Sequence, residues 1–260
     1  MNRIAFASLA AVALLAASPA LALTNDHGVV VFTQADALAG GVTAGDTPGF
    51  PVTISVGGSY RLASNLVVTS LVNGIEVRAN EVSIDMAGFT LAGSGSGRNG
   101  IASFNRSLRV ANGNIRGFTL DGIRTIAPFL TVSQMIVTAN GRTGIIADDT
   151  GSQPDVMAFA RISDSSITRN GASGVVCTEH CLVESNIVSL NAAFGIYFRG
   201  KGGTALGNVS TSNGFYGMYF AAPGGAGNNT VLQNVNAVQI QGPYIAMQPN
   251  ACVPDCPPPP

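Results

Sequence analysis

The chain reads as an all-β solenoid, a single-stranded parallel β-helix with coils of about 22 residues, and three observations lead to that reading. A glycine-apolar dipeptide recurs through the middle of the chain, asparagines recur at a fixed distance from it, and beyond the N-terminal stretch no window longer than about ten residues carries a convincing helical period. Composition points the same way. The chain has 32 glycines and no tryptophan, and it is rich in Val, Ile, Ser, Thr and Asn, which suits short strands separated by tight turns.

The dipeptide occurs at Gly74-Ile75, Gly100-Ile101, Gly122-Ile123, Gly144-Ile145, Gly174-Val175, Gly195-Ile196 and Gly217-Met218, with steps of 26, 22, 22, 30, 21 and 22 residues. The two long steps contain loop material, Ala92 to Gly97 and Asp149 to Asp155. Insertions at turns are what a stack of coils tolerates. Within the repeat, Asn114-Ile115, Met135-Ile136, Ser166-Ile167, Asn186-Ile187 and Asn208-Val209 mark a second strand, and Asn140, Asn170, Asn191 and Asn213 precede the next glycine by four residues. Asparagine tolerates left-handed backbone and bonds nearby main chain, so it suits a sharp corner. Equivalent residues on successive coils lie ~4.8 Å apart, so these asparagines are expected to stack amide on amide.

At the N-terminus, Asn2 and Arg3 precede an almost uncharged stretch to Ala17 and then Ala20-Leu21-Ala22, the pattern of a cleavable signal peptide over residues 1–22. That stretch is shorter than the ~20 apolar residues a membrane span needs. Residues 23–70 are expected to form an N-terminal cap and the leading strands, with a short helix near Thr33 to Leu38; residues 71–240 the β-helix; and residues 241–260 a Cys- and Pro-rich tail. A cap is needed because an uncovered terminal strand would pair with another molecule. The expected compartment is periplasmic or extracellular, where Cys177, Cys181, Cys252 and Cys256 would form disulfides, either locally or from tail to coil. A thiolate metal site including His180 is the competing reading of those cysteines.

Asn80 to Leu91, reading NEVSIDMAGFTL, together with Gly58-Ser59-Tyr60-Arg61-Leu62 and Asn65-Leu66, resembles segments of the right-handed parallel β-helix repeat family, the superfamily that includes pectate lyases. The resemblance runs from about residue 50 to residue 240. With the coil length it implies a right-handed helix, and it specifies fold rather than activity. The catalytic signatures of enzymes on this fold, such as a tryptophan-isoleucine-aspartate-histidine or glycine-histidine-glycine segment, are missing. The superfamily's copper proteins make His27 and His180 formal candidates, but the methionines do not cluster around either.

Charge excludes some partners. With 13 basic and 14 acidic residues the chain has no electrostatic footprint for nucleic acid or an anionic membrane. Counting from each repeat glycine, position plus four carries Asp148 and, two coils on, Arg199. Asp148, Asp149 and the nearby Asp155 are oxygen donors of the kind calcium takes. In the pectate-lyase-like enzymes an arginine or lysine removes a proton beside a uronate carboxylate, which makes Arg199 and Lys201 the matching candidates. Positions plus two and plus three end in Tyr197/Tyr219 and Phe198/Phe220, of which one pair must face outward. With Tyr216 nearby, an outward tyrosine row could stack on sugar rings. Two functions compete: an exported non-catalytic protein binding a polysaccharide or surface glycan through one sheet face, and an enzyme acting on uronate-containing polysaccharide.

Overall fold

The computed structural model describes residues 28–105, 107–126, 129–148 and 159–256. Over these the chain is a parallel β-solenoid of about nine turns. Nine strands stack in register as one sheet, from Val52–Ile54 through Ile75–Val77, Ile101–Ser103, Ile123–Thr125, Ile145–Ala147, Val175–Cys177, Ile196–Phe198 and Met218–Phe220 to Ile240–Gln241. The other strands form a second and a third ladder that meet at a corner. Leu108–Arg116 and Phe129–Thr138 run round that corner unbroken, whereas Phe159–Ser163 and Ser166–Thr168 are separate strands, so the two ladders count as one 17-stranded sheet. Seven turns begin on the repeat glycine; the two outer ones begin after Pro51 and Gln239, which a search for glycine does not find. The ladders extend on either side of residues 71–240, to Val30–Phe32 at one end and Ala251–Val253 at the other.

The interior follows from strand alternation. In the first sheet the residues one and three places after the glycine point inward, so Ile75, Ile101, Ile123, Ile145, Val175 and Ile196 form a fully buried column. Phe198 and Phe220 stack inside the next column at 4.7 Å.

Two asparagine stacks hold the corners. Along one, Asn140, Asn170, Asn191, Asn213 and Asn234 each donate backbone N–H and Nδ2 to a side-chain oxygen on the next rung, at 2.8–3.2 Å, and Gln239 Oε1 accepts the last pair. The left-handed residue at this corner is the one before the asparagine, as at Ala139, Arg169, Leu190 and Ser212. The asparagine is thus selected for its amide, which closes the buried hydrogen bonds, and not for backbone tolerance. The second stack runs Ser165, Asn186, Asn208, Asn229 and Asn250. Its earlier rungs are Met135 and Gly113, so Ser166 and Asn114 stand one place past the stack, on the strand. Ser165 replaces the amide there by accepting from Met135 N–H through Oγ.

The N-terminal end carries the one helix among the described residues, Gln34–Ala39, started by a capping box between Thr33 and Asp36. Gln34 turns its side chain onto the open edge of Leu66–Val67: Oε1 accepts from Val67 N–H at 2.8 Å, and Nε2 donates to Val67 O. The edge is satisfied by a side chain instead of another strand. Asp46 ties the cap loop to the first sheet by accepting from Val42 and Thr53 N–H; burial nevertheless pushes its carboxyl above the usual aspartate range.

Both disulfides are local, Cys177 to Cys181 and Cys252 to Cys256, which rules out a tail-to-coil bridge and engages every thiol that could have ligated metal. Such bonds fit an oxidising compartment. The first bridge is buried between the first sheet and the start of Cys181–Glu184. By chain entropy a loop this short contributes about 2 kcal/mol. The Cys177→Ala/Cys181→Ala variant is expected to lose that amount in urea unfolding, and an unchanged midpoint would show that the bond is dispensable. No helix among the described residues is long and apolar enough to cross a membrane. The expected leader, His27, Asp149, Asp155 and Pro257 to Pro260 lie outside the described residues.

Candidate functional site

The outer face of the first sheet brings together most of the chain's unusual side chains. Its outward column, two places after each glycine, is Glu76, Ala102, Arg124, Ile146, Val176, Tyr197 and Tyr219, one residue per coil in continuous register. Tyr197 and Tyr219 therefore face outward and Phe198 and Phe220 inward. One wall of this face is the column two places before each glycine, and the other is the column four places after.

Over the middle coils the column directly before the glycines is polar. Asn99 donates its N–H and Nδ2 to Asn73 Oδ1, Asp121 N–H donates to Asn99 Oδ1, and Thr143 N–H donates to Asp121 Oδ1. The other Asp121 oxygen meets Arg124 at 3.4 Å, and the same guanidinium reaches Asp148 at 3.9 Å. Thr178 Oγ1 donates to Asp148 at 3.1 Å. Asp121 is 1% and Asp148 7% exposed, so one arginine serves two buried carboxylates. Removing it takes the counter-charge from both carboxylates, which keep hydrogen bonds from Thr143 N–H and Thr178 Oγ1. Arg124→Met is expected to lower stability by about 2–3 kcal/mol, less than for a fully buried pair because Arg124 is itself partly exposed. Equilibrium unfolding measures this, and a loss under about 0.5 kcal/mol would mean that water already serves the carboxylates.

Beside this network lies a pocket of about 390 Å³ whose floor includes Ala102 and Arg124 and whose walls carry Arg98, Arg142, Phe104 and Ile126. Arg98 and Arg142 are exposed, and among the described residues neither side chain has an ion-pair or hydrogen-bond partner. Further along the same face the polar column directly before the glycines gives way to Phe194 and Tyr216. These rings meet the outward tyrosines: Phe194 lies 4.8 Å from Tyr197 and 5.4 Å from Tyr219, Tyr197 lies 5.3 Å from Tyr219, and Tyr216 stacks on Tyr219 at 5.6 Å. Phe215 closes the cluster against Phe194 at 5.0 Å. Each such pair contributes ~0.5–1.5 kcal/mol beyond burial, and the shelf stays partly exposed.

The sequence-derived candidates fall into three places. Tyr197, Tyr216 and Tyr219 come together in the aromatic shelf. Asp148 sits in the Arg124 network, two coils from Arg199, and Arg199 packs its guanidinium 5.6 Å from the Tyr197 ring centre. Lys201 stands on the corner beyond, where its carbonyl accepts from His180 N–H and its side chain is exposed. His180 meets the Phe159 ring at 5.5 Å with the two planes tilted by 40°, at the second ladder and away from the shelf. Arg98, Arg142 and Asp121 were not found by reading columns after the glycine; the columns one and two places before it would have shown them. Among the described residues no group of three or more His, Cys, Asp or Glu is placed to hold a metal.

Comparison of the chain with family models, with curated proteins and with solved structures returned no match. The likeness to pectate-lyase-type proteins therefore rests on the quoted motifs and the solenoid itself.

Proposed function

We propose that this chain binds an acidic glycan lengthwise along the outer face of its first sheet. One observation carries the reading: two unpaired guanidinium groups, Arg98 and Arg142, and a shelf of rings built on Phe194, Tyr197, Tyr216 and Tyr219 lie on one face along one axis. Guanidinium groups recognise carboxylate or sulfate by paired hydrogen bonds, and flat rings take the apolar face of a sugar. No tyrosine hydroxyl of the shelf has a protein partner among the described residues, which leaves each free to bond a sugar hydroxyl.

Binding fits this arrangement better than turnover. Asp148 is engaged by Arg124 and Thr178, Arg199 by the Tyr197 ring, and Lys201 stands exposed on a corner. Calcium would have to compete with Arg124 for Asp148. The enzymatic alternative, acting on uronate polysaccharide, keeps Arg199 or Lys201 as its base, and Asp149 as a further carboxylate. Affinity electrophoresis of the purified protein in gels containing acidic or neutral polysaccharide separates these outcomes. Retardation by an acidic polymer is expected, weakened about tenfold in Tyr219→Ala, with Phe129→Ala on the second ladder unaffected. No retardation by any acidic glycan would sink the proposal. Ultraviolet absorbance from unsaturated products in the same mixtures would instead move the reading to elimination.

A further inference from the structure

The wall of the pocket has a charge period of its own. The residues two places before successive glycines are joined coil to coil by their backbones: Leu120 N–H donates to Arg98 O at 2.8 Å, Arg142 to Leu120 at 3.0 Å, Ala172 to Arg142 at 2.8 Å and Ala193 to Ala172 at 3.0 Å, and Phe215 follows. Arg98, Leu120 and Arg142 thus occupy three consecutive coils. At ~4.8 Å per coil the two arginines are anchored about 10 Å apart, with an apolar side chain between them. On the facing wall Phe104, which is 49% exposed, stands level with Arg98, and Ile126 stands level with Leu120 and repeats its apolar interval. The floor offers no third free cation, because Arg124 is held by Asp121 and Asp148.

Resting on the glycan reading above, we infer that the site selects a polymer whose acidic group falls on every second sugar, with a less polar sugar between. The match requires a sugar chain extended enough that each ring advances by about one coil, ~4.8 Å. Consecutive acidic groups of an alternating polymer then meet Arg98 and Arg142, while the intervening ring lies against Leu120 and Ile126. A uniformly acidic polymer whose rings all turn their carboxylates to this wall brings an additional charge to Leu120, where no cation compensates it. Beyond Arg142 the wall continues through Ala172 and Ala193 to Phe215 at the shelf, above floor residues Ile146 and Val176 that are themselves buried.

The test compares full-length protein binding to hyaluronan, an alternating acidic polymer, to polygalacturonate, a uniformly acidic one, and to neutral dextran, at low and high salt. Hyaluronan is expected to bind about fivefold or more tighter than polygalacturonate, with salt weakening both. Arg98→Ala and Arg142→Ala should each reduce hyaluronan binding about tenfold. Leu120→Arg supplies the missing cation on an exposed wall and should reverse the preference. Circular dichroism melts establish that each variant is folded. Equal affinity for the two acidic polymers, unchanged by Leu120→Arg, would overturn the selectivity and leave acidic-glycan binding standing. Failure of all acidic polymers to bind would remove the underlying reading as well.

Discussion

Asn191→Ala is expected to lower the unfolding free energy by about 3 kcal/mol, far more than a polar-to-alanine change on a strand surface. The Asn191 amide accepts from Asn170 N–H and Asn170 Nδ2, and its own Nδ2 donates to Ile167 O and Asn213 Oδ1, all at 2.9–3.1 Å. Asn191 is 1% exposed, so alanine leaves these groups with neither the amide nor water. Each buried donor or acceptor left unmade costs roughly 1–3 kcal/mol, and the partners retained elsewhere keep the sum near the lower end. Urea unfolding gives the loss, and Ser189→Ala on the outer strand face should cost under ~0.5 kcal/mol. If the two variants proved equivalent, the amide stack would not be what holds the corner.

Gly144→Ala should be more damaging still, with an expected loss of about 4 kcal/mol, above the usual overpacking range because two of the obstacles are fixed by hydrogen bonds. A Cβ there would lie 2.7 Å from Gly174 O, 2.8 Å from Asn170 Nδ2 and 2.5 Å from Ile167 Cγ2. The carbonyl accepts Ile145 N–H, and the amide belongs to the asparagine stack, so neither can withdraw without breaking a ladder. The repeat glycine is therefore required for close approach between coils and not for a left-handed backbone. For a chain of this size the loss corresponds to a fall in Tm of roughly 10 °C. A calorimetric scan showing less than about 3 °C would mean that the coils can separate locally to admit the methyl group.

These two residues show why so much of the fold was legible in the sequence. A parallel stack imposes the same constraint on every coil, so a requirement for no side chain at Gly144 or for an amide at Asn191 is written again one coil later, at Gly174 and Asn213. Where a turn used other means it was missed. Pro51 and Gln239 begin turns without the glycine, and Ser165 accepts the bond that an asparagine accepts elsewhere, which displaced the second asparagine row by one residue at Ser166 and Asn114.

The sequence by itself determined an all-β solenoid with coils of about 22 residues, inward Ile and Val columns, and an amide-bonded corner, because each depends on a contact between equivalent positions that recurs along the chain. Only the tertiary structure decided which side chains meet on the outer face. Arg124 choosing Asp121 and Asp148, Arg199 settling over Tyr197, and Arg98 and Arg142 remaining unpaired depend on side-chain reach between unlike residues on neighbouring coils. Backbone register fixes where a side chain starts, and competition among charges and rings across the coils fixes where it ends.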